Sequence, residues 1–142
     1  MDCHKIKEMK AVIANAATVY VSSIDENGYP NIKAMFACMQ DGMVFQYMST
    51  NYSSRRTQQF LHNNKCSIYY CDESTCKGVM LTGHIEVCTD HETKAMIWKD
   101  TDIIYYPQGV DDPDYCVYRF VAEKGNYYHG LENVDFRIEE LN

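Results

Sequence analysis

The sequence predicts a mainly β protein of the α+β class, an antiparallel barrel with a few peripheral helices. Three observations carry that expectation. Short runs rich in β-branched and aromatic residues recur along the chain, TVYVSSI at 18–24 and CSIYYC at 66–71 among them. Tight-turn signals separate them, as in Asp25-Glu26-Asn27-Gly28 and Gln40-Asp41-Gly42. Only about three segments carry helical signals, too few to supply the crossovers of a parallel sheet.

Each element has its own local reason. Residues 2–17 place Ile6, Met9, Ile13 and Ala16 or Ala17 at helical spacing behind Asp2, a ready cap. Residues 18–24 make a strand, and the turn at 25–28 leads through Pro30 into NIKAMFACM, so that the two runs pair as a hairpin. After Gly42, residues 43–48 make a third strand. A helix follows over 54–63, then strands over 66–71 and 77–88. Thr89-Asp90-His91-Glu92 has the capping-box pattern and opens a short helix through Trp98. Residues 100–114, with Pro107, Gly109 and Pro113, read as an ordered loop. Residues 115–122 alternate as a strand, Gly125 turns the chain into Asn126-Tyr127-Tyr128-His129, and 134–141 form a last edge strand or an extended arm. No repeat, low-complexity tract or linker intervenes, and one domain over 1–142 is expected.

Charge and composition narrow the function. A net charge of −7 disfavours nucleic acid, whose affinity for proteins rests on many cations neutralising phosphates. The longest apolar runs fall short of the ~20 residues a membrane span needs, and the first residues, MDCHKIKEMK, lack a signal-peptide core. A soluble, cytoplasmic protein is expected, with no membrane partner. Seven cysteines without a Cys-x-x-Cys pair read as reduced, mostly buried small hydrophobes rather than disulfides or metal ligands, and no metal site is expected. No P-loop or Rossmann glycine fingerprint occurs.

A phosphate-bearing ligand therefore needs another cradle, and residues 45–60, FQYMSTNYSSRRTQQF, supply one. A strand-like run passes through Ser49-Thr50-Asn51-Tyr52-Ser53-Ser54 into a helix led by Arg55-Arg56. The first N–H groups of a helix lack intrahelical partners, and the helix dipole adds positive potential there. Hydroxyls of Thr50, Ser53 and Ser54 add neutral donors, and the Arg55 and Arg56 guanidinium groups can grip phosphate oxygens in pairs. The alternative is that Ser53 only caps the helix and the arginines are solvated.

The run Ser49 to Gln59 resembles the phosphate-binding segment of the pyridoxamine phosphate oxidase-like, FMN-binding split-barrel family, roughly Thr-Asn-x-x-Ser-(Arg/Lys)-(Lys/Arg) with a Gln soon after. The likeness extends through Asn63-Asn64-Lys65, the strand KGVMLTGHIE at 77–86 and the tract at 105–115. It implies a split barrel of about six or seven strands that binds FMN and passes hydride or electrons to a small-molecule substrate, with NAD(P)H a possible donor. Alternatives within the same fold are a non-catalytic, stress-related flavin-binding protein, or a protein binding haem or the deazaflavin F420. The resemblance places the isoalloxazine against Lys33, Ala34, Met35 and Phe36. A lysine near the pyrimidine edge of the ring would stabilise negative charge on reduced flavin; the alternative is a solvated strand lysine. At Gly78 the family often has a polar side chain on the flavin, and glycine leaves that contact open. Gly83 beside His84 suits close approach of a flat ligand or a partner backbone. The family completes its pocket across a homodimer, for which Tyr127, Tyr128 and His129 are the candidates. No catalytic residue is assigned. Genuine pyridoxamine phosphate oxidases carry a further C-terminal substrate-gripping segment, and without a counterpart before Asn142 that activity is not expected.

Overall fold

A computed structural model describes residues 1–141. Helix α1, Cys3–Asn15, starts where Asp2 Oδ1 accepts the Lys5 N–H (2.9 Å), and its buried face carries Met9, Val12 and Ile13. It stops two residues before the expected end because the chain turns extended at Ala16. Strands β1 (Thr18–Ile24) and β2 (Pro30–Phe36) form the expected hairpin, with Gly28 at φ +83° in the turn.

Beyond Phe36 the expectation changes. The run through Met39 is not one strand: the Ala37 N–H still bonds to Ala17, but the Cys38 N–H bonds to Tyr47. The chain thus swings to the opposite edge of the sheet, where Met39–Asp41 forms a short β3 on β4, Phe45–Asn51. Helix α2, Arg55–His62, is capped by Ser54, whose Oγ accepts the Thr57 N–H (3.1 Å). Strands β5 (Lys65–Asp72) and β6 (Lys77–Cys88) follow, and then α3, His91–Ile97. The α3 cap is Asp90 rather than Thr89, because the Asp90 carboxylate takes both the N–H and the hydroxyl of Thr93. Residues 100–114 are an ordered connection with two 3-10 turns.

The largest departure is at Gly125, which does not turn the chain. Strand β7 runs unbroken over Tyr115–His129, and β8, Glu132–Arg137, folds back along it after a turn at Gly130. Glycine at 125 answers a close approach instead: a Cβ there would lie 2.5 Å from the Met80 carbonyl oxygen and 2.6 Å from the Phe136 ring. Gly83 has the same cause, since its Cβ would meet the Val121 carbonyl oxygen at a bulge in the β6–β7 pairing.

The eight strands form one wholly antiparallel, curled sheet, against the six or seven implied. Its order is β2-β1-β5-β6-β7-β4-β3. Long β7 carries β4 on its first half and β8 on its second, on the same side. This is the split barrel. The main core joins Val19, Val21, Ile68, Leu81 and Phe120 to Met9 and Ile13 of α1 and Phe60 of α2. A second cluster, Tyr47, Tyr115 and Val117 with Ile97 of α3, packs beneath Trp98 and Tyr106. Among the described residues no helix is long and apolar enough to cross a membrane.

Candidate functional site

The junction between β4 and α2 is built by its neighbours on β7. Thr50 pairs with Cys116 and Asn51 with Tyr115, and the Tyr52 N–H donates to the Asp114 carbonyl (2.6 Å). This fixes the segment where the chain leaves the sheet. Thr50 is buried, and its Oγ1 accepts from Arg56 Nη2 (3.0 Å). The Arg56 guanidinium lies 5.8 Å from the Tyr118 ring centre, a cation–π contact. Tyr118 is fully buried and its hydroxyl binds Thr57 Oγ1 (2.6 Å) and Ser54 Oγ (3.3 Å). Burial raises the Tyr118 pKa above its ordinary value, while the Ser54 and Thr57 hydroxyls and the Arg56 charge act against the rise.

One atom at this junction is left over. Arg56 Nε is buried without a hydrogen-bond partner. A buried donor left unpaired costs about 1–3 kcal/mol, and an anion oxygen beside Thr50 would satisfy it. The Arg56 guanidinium with the Thr50 hydroxyl beside it therefore fits a phosphate oxygen, while the Ser54 and Thr57 hydroxyls, bonded to each other and to Tyr118, brace the junction.

The expected site residues do not all gather here. Arg55, one helical step of about 100° from Arg56, is exposed and lines a separate cavity of about 820 Å³ with Asp25, Glu26 and His62. The Ser53 N–H is already taken by Asp114 Oδ1 (2.8 Å), and the Ser53 hydroxyl accepts from Asn51 Nδ2 (3.1 Å). Ser49 and Thr50 line a cavity of about 470 Å³ with Phe36, Cys38, Lys99 and Tyr105. Ser49 Oγ lies 3.7 Å from Cys38 Sγ. On β2, Lys33 and Met35 share the face of Val21 and Val19, where Met35 is buried and Lys33 exposed, while Ala34 and Phe36 face outward.

Tyr127, Tyr128 and His129 lie elsewhere in the protomer. Tyr127 is eleven residues beyond Cys116 on β7, about 35 Å along the strand at ~3.3 Å per residue. Its hydroxyl donates to Glu8 Oε2 of α1 (2.6 Å), His129 lies 4.0 Å from the same carboxylate, and Tyr128 accepts from Tyr69 (2.8 Å). Those two rings stack at 6.5 Å over Gly78, where a Cβ would strike both. At Gly78 the sequence thus makes room for a tyrosine pair. His84 sits on the sheet between Glu86 and Glu123, 3.8 and 3.4 Å away.

Sequence reasoning missed Thr57, Tyr118, Asp114, Cys38 and the wall at Lys99 and Tyr105. Thr57 directly follows Arg56 and was findable. Tyr118 is one of twelve tyrosines, and nothing local distinguishes it.

A model of the family described as pyridoxamine 5'-phosphate oxidase matches residues 6–129. The chain belongs to the pyridoxamine 5'-phosphate oxidase-like split-barrel family. Within that family it is similar to a solved protein from Clostridium acetobutylicum, described as related to general stress protein 26 of B. subtilis and of the pyridoxinephosphate oxidase family. The two are 42% identical over the whole of both chains, with a TM-score of 0.91. A curated family relative, the pyridoxine/pyridoxamine 5'-phosphate oxidase of Agrobacterium fabrum, is 30% identical over 77 residues, 54% of this chain. The match spans 37% of that relative's length. A heme binding protein from Mycobacterium smegmatis shares the fold at 15% identity, with a TM-score of 0.79 over 99% of this chain and 61% of the other.

Proposed function

We propose that this protein binds FMN and works as a cytoplasmic flavin-dependent oxidoreductase on a small molecule, assembled as a homodimer. The observation that carries the reading is the buried, unpartnered Nε of Arg56 beside the Thr50 hydroxyl. Arg56, Thr50 and Ser54 hold the phosphate, with Ser53 at its rim and Thr57 behind them on Tyr118, while Arg55, exposed on a separate cavity, stands outside this cradle. Phe36, with the β2 backbone at Ala34 and Met35, borders the ring, and Lys33 places a positive charge on that strand. Tyr127, Tyr128 and His129 serve the site of the second subunit, since within one protomer they lie at the other end of β7. Bound FMN supplies the hydride or electron chemistry; the chain's part is to orient it, to exclude water and to balance its charge. NAD(P)H is the proposed donor. Free thiols, three of them buried, suit a reducing compartment.

A visible absorption spectrum of the purified protein is the test. The two-band spectrum of a yellow flavin is expected. The intense single band of haem, or the blue-shifted band of a deazaflavin, overturns the assignment. Titration calorimetry then separates FMN from riboflavin, and equal affinities remove the phosphate cradle from the reading. The similarity to a protein related to a general stress protein favours a second reading, a flavin-binding stress protein without turnover. Sustained NAD(P)H oxidation by the FMN-loaded protein excludes that second reading.

A further inference from the structure

We propose that Asp114 is a positioning residue for the anion site: it fixes the turn that sets Arg56 against Thr50, without touching a ligand itself. The proposal rests on the flavin reading above. Thr50 lies at the end of β4 and Arg56 in the first turn of α2, and residues 51–54 between them decide how the two meet. Within that turn the Ser54 N–H and the Thr57 hydroxyl both donate to the Asn51 carbonyl (3.2 and 3.3 Å), which closes the turn on itself. Its two middle amides bond outside it. The Tyr52 N–H donates to the Asp114 carbonyl (2.6 Å) and the Ser53 N–H to Asp114 Oδ1 (2.8 Å), so that a single residue, 61 positions beyond Ser53, receives both.

Asp114 is itself held in place. Its N–H donates to Asp112 Oδ1 (3.0 Å), and Asp112 Oδ2 takes the Gln108 N–H (3.1 Å). Asp112 is buried, and its carbonyl accepts from the Tyr115 N–H (3.0 Å) and from Nζ of the buried Lys94 on α3 (3.1 Å). The Lys94 ammonium lies 5.6 Å from the Tyr115 ring centre, and the Lys94 carbonyl accepts from the Tyr115 hydroxyl (3.2 Å). A buried ammonium is unfavourable unless it is bonded, and this one is directed at the segment that carries Asp114. The end of the 100–114 connection is thereby made rigid where it meets the β4–α2 junction.

The consequence is preorganisation. Arg56 Nη2 already meets Thr50 Oγ1 at 3.0 Å in the protein without ligand. Remove the Asp114 carboxylate, and the Ser53 amide loses its acceptor; an incoming phosphate then has to order the turn, which lowers affinity. The charge of Asp114 acts in the opposite direction, since a carboxylate near an anion site weakens anion binding. The two effects differ in sign, and a pair of substitutions separates them.

The test is titration calorimetry of FMN and riboflavin against the wild type, Asp114→Ala and Asp114→Asn, with the melting temperature of each protein measured alongside. Asparagine keeps an oxygen that can accept the Ser53 N–H and removes the charge, whereas alanine removes both. Asp114→Ala is expected to weaken FMN binding about tenfold, the worth of one such hydrogen bond, and to leave riboflavin binding unchanged. Asp114→Asn is expected to bind FMN at least as tightly as the wild type. Tighter FMN binding by both variants assigns Asp114 a purely electrostatic effect and overturns the proposal. So does an equal loss of FMN and riboflavin in Asp114→Ala, which with a lowered melting temperature marks general loosening, and so does an asparagine variant as weak as the alanine one. A wild type that binds no flavin removes the flavin reading and this assignment with it. A wild type that binds FMN, with Asp114→Ala unaltered, removes only the assignment.

Discussion

Arg56 shows how a single side chain can be left incomplete by its own fold. Its Nη2 is satisfied by Thr50 and its plane by Tyr118, yet the buried Nε has no partner. A charge-assisted bond from that nitrogen to a phosphate oxygen is worth roughly 1.5–3 kcal/mol. Arg56→Ala should therefore weaken FMN binding roughly ten- to hundredfold while leaving riboflavin binding nearly unchanged. Arg55→Ala should have the smaller effect, because Arg55 is exposed and borders a different cavity. Calorimetric titration of both variants checks this; an unaltered Kd in Arg56→Ala would return Arg56 to the role of a buried structural cation.

At the scale of elements, α1 is tied to the far end of β7 through Glu8. Its carboxylate accepts from Tyr127 (2.6 Å) and lies 3.1 Å from His4 and 3.8 Å from Lys77. The Tyr127 hydrogen bond, then Lys77, His4 and His129, hold the Glu8 pKa below its ordinary value of 4.5. A pKa depressed by folding contributes stability that is whole above the unfolded value and is lost as pH falls through the folded one. Glu8 thus stabilises the α1 contact above about pH 4.5 and stops doing so in more acid solution. Melting temperatures of the wild type and Glu8→Gln should converge as pH drops below that value. Parallel curves down to acid pH would mean that the carboxylate charge contributes nothing to docking α1.

For the molecule as a whole, the outer face of the sheet calls for a partner. Phe36 is 82% exposed and Ile32 70%, both on β2, with Tyr20 and Met80 also exposed on the adjoining strands. In the pairing, Ala34, Tyr20, Tyr69 and Met80 run side by side across β2, β1, β5 and β6. Large apolar groups in register over β1, β5 and β6, flanked by Ile32 and Phe36 on β2, are what an obligate interface presents, and a twofold pairing is the commonest closed arrangement. Light scattering on FMN-loaded protein should give twice 16.5 kDa. A mass of 16.5 kDa would leave Tyr127, Tyr128 and His129 without a site to complete.

Period-two alternation, turn residues and caps act over a few residues, and for that reason the sequence alone determined β1 to the residue, the 25–28 turn, the Asp2 cap and the antiparallel class, whereas α2 is capped by Ser54 and not by Ser53. The β4–α2 junction was legible for the same reason, because a Ser cap before paired arginines is a local pattern. Tertiary packing decided what depends on residues far apart in the chain. Gly125 reads as a turn until Met80 and Phe136 are seen against it, and Gly78 holds an open contact until Tyr69 and Tyr128 fill the space. Likewise only the fold could turn Arg56 inward and Arg55 away, and bring Asp114 across 61 residues onto the Ser53 amide. Hydrogen-bond donors are written in the sequence, but which of them remain unpaired is settled only when every distant acceptor has been placed.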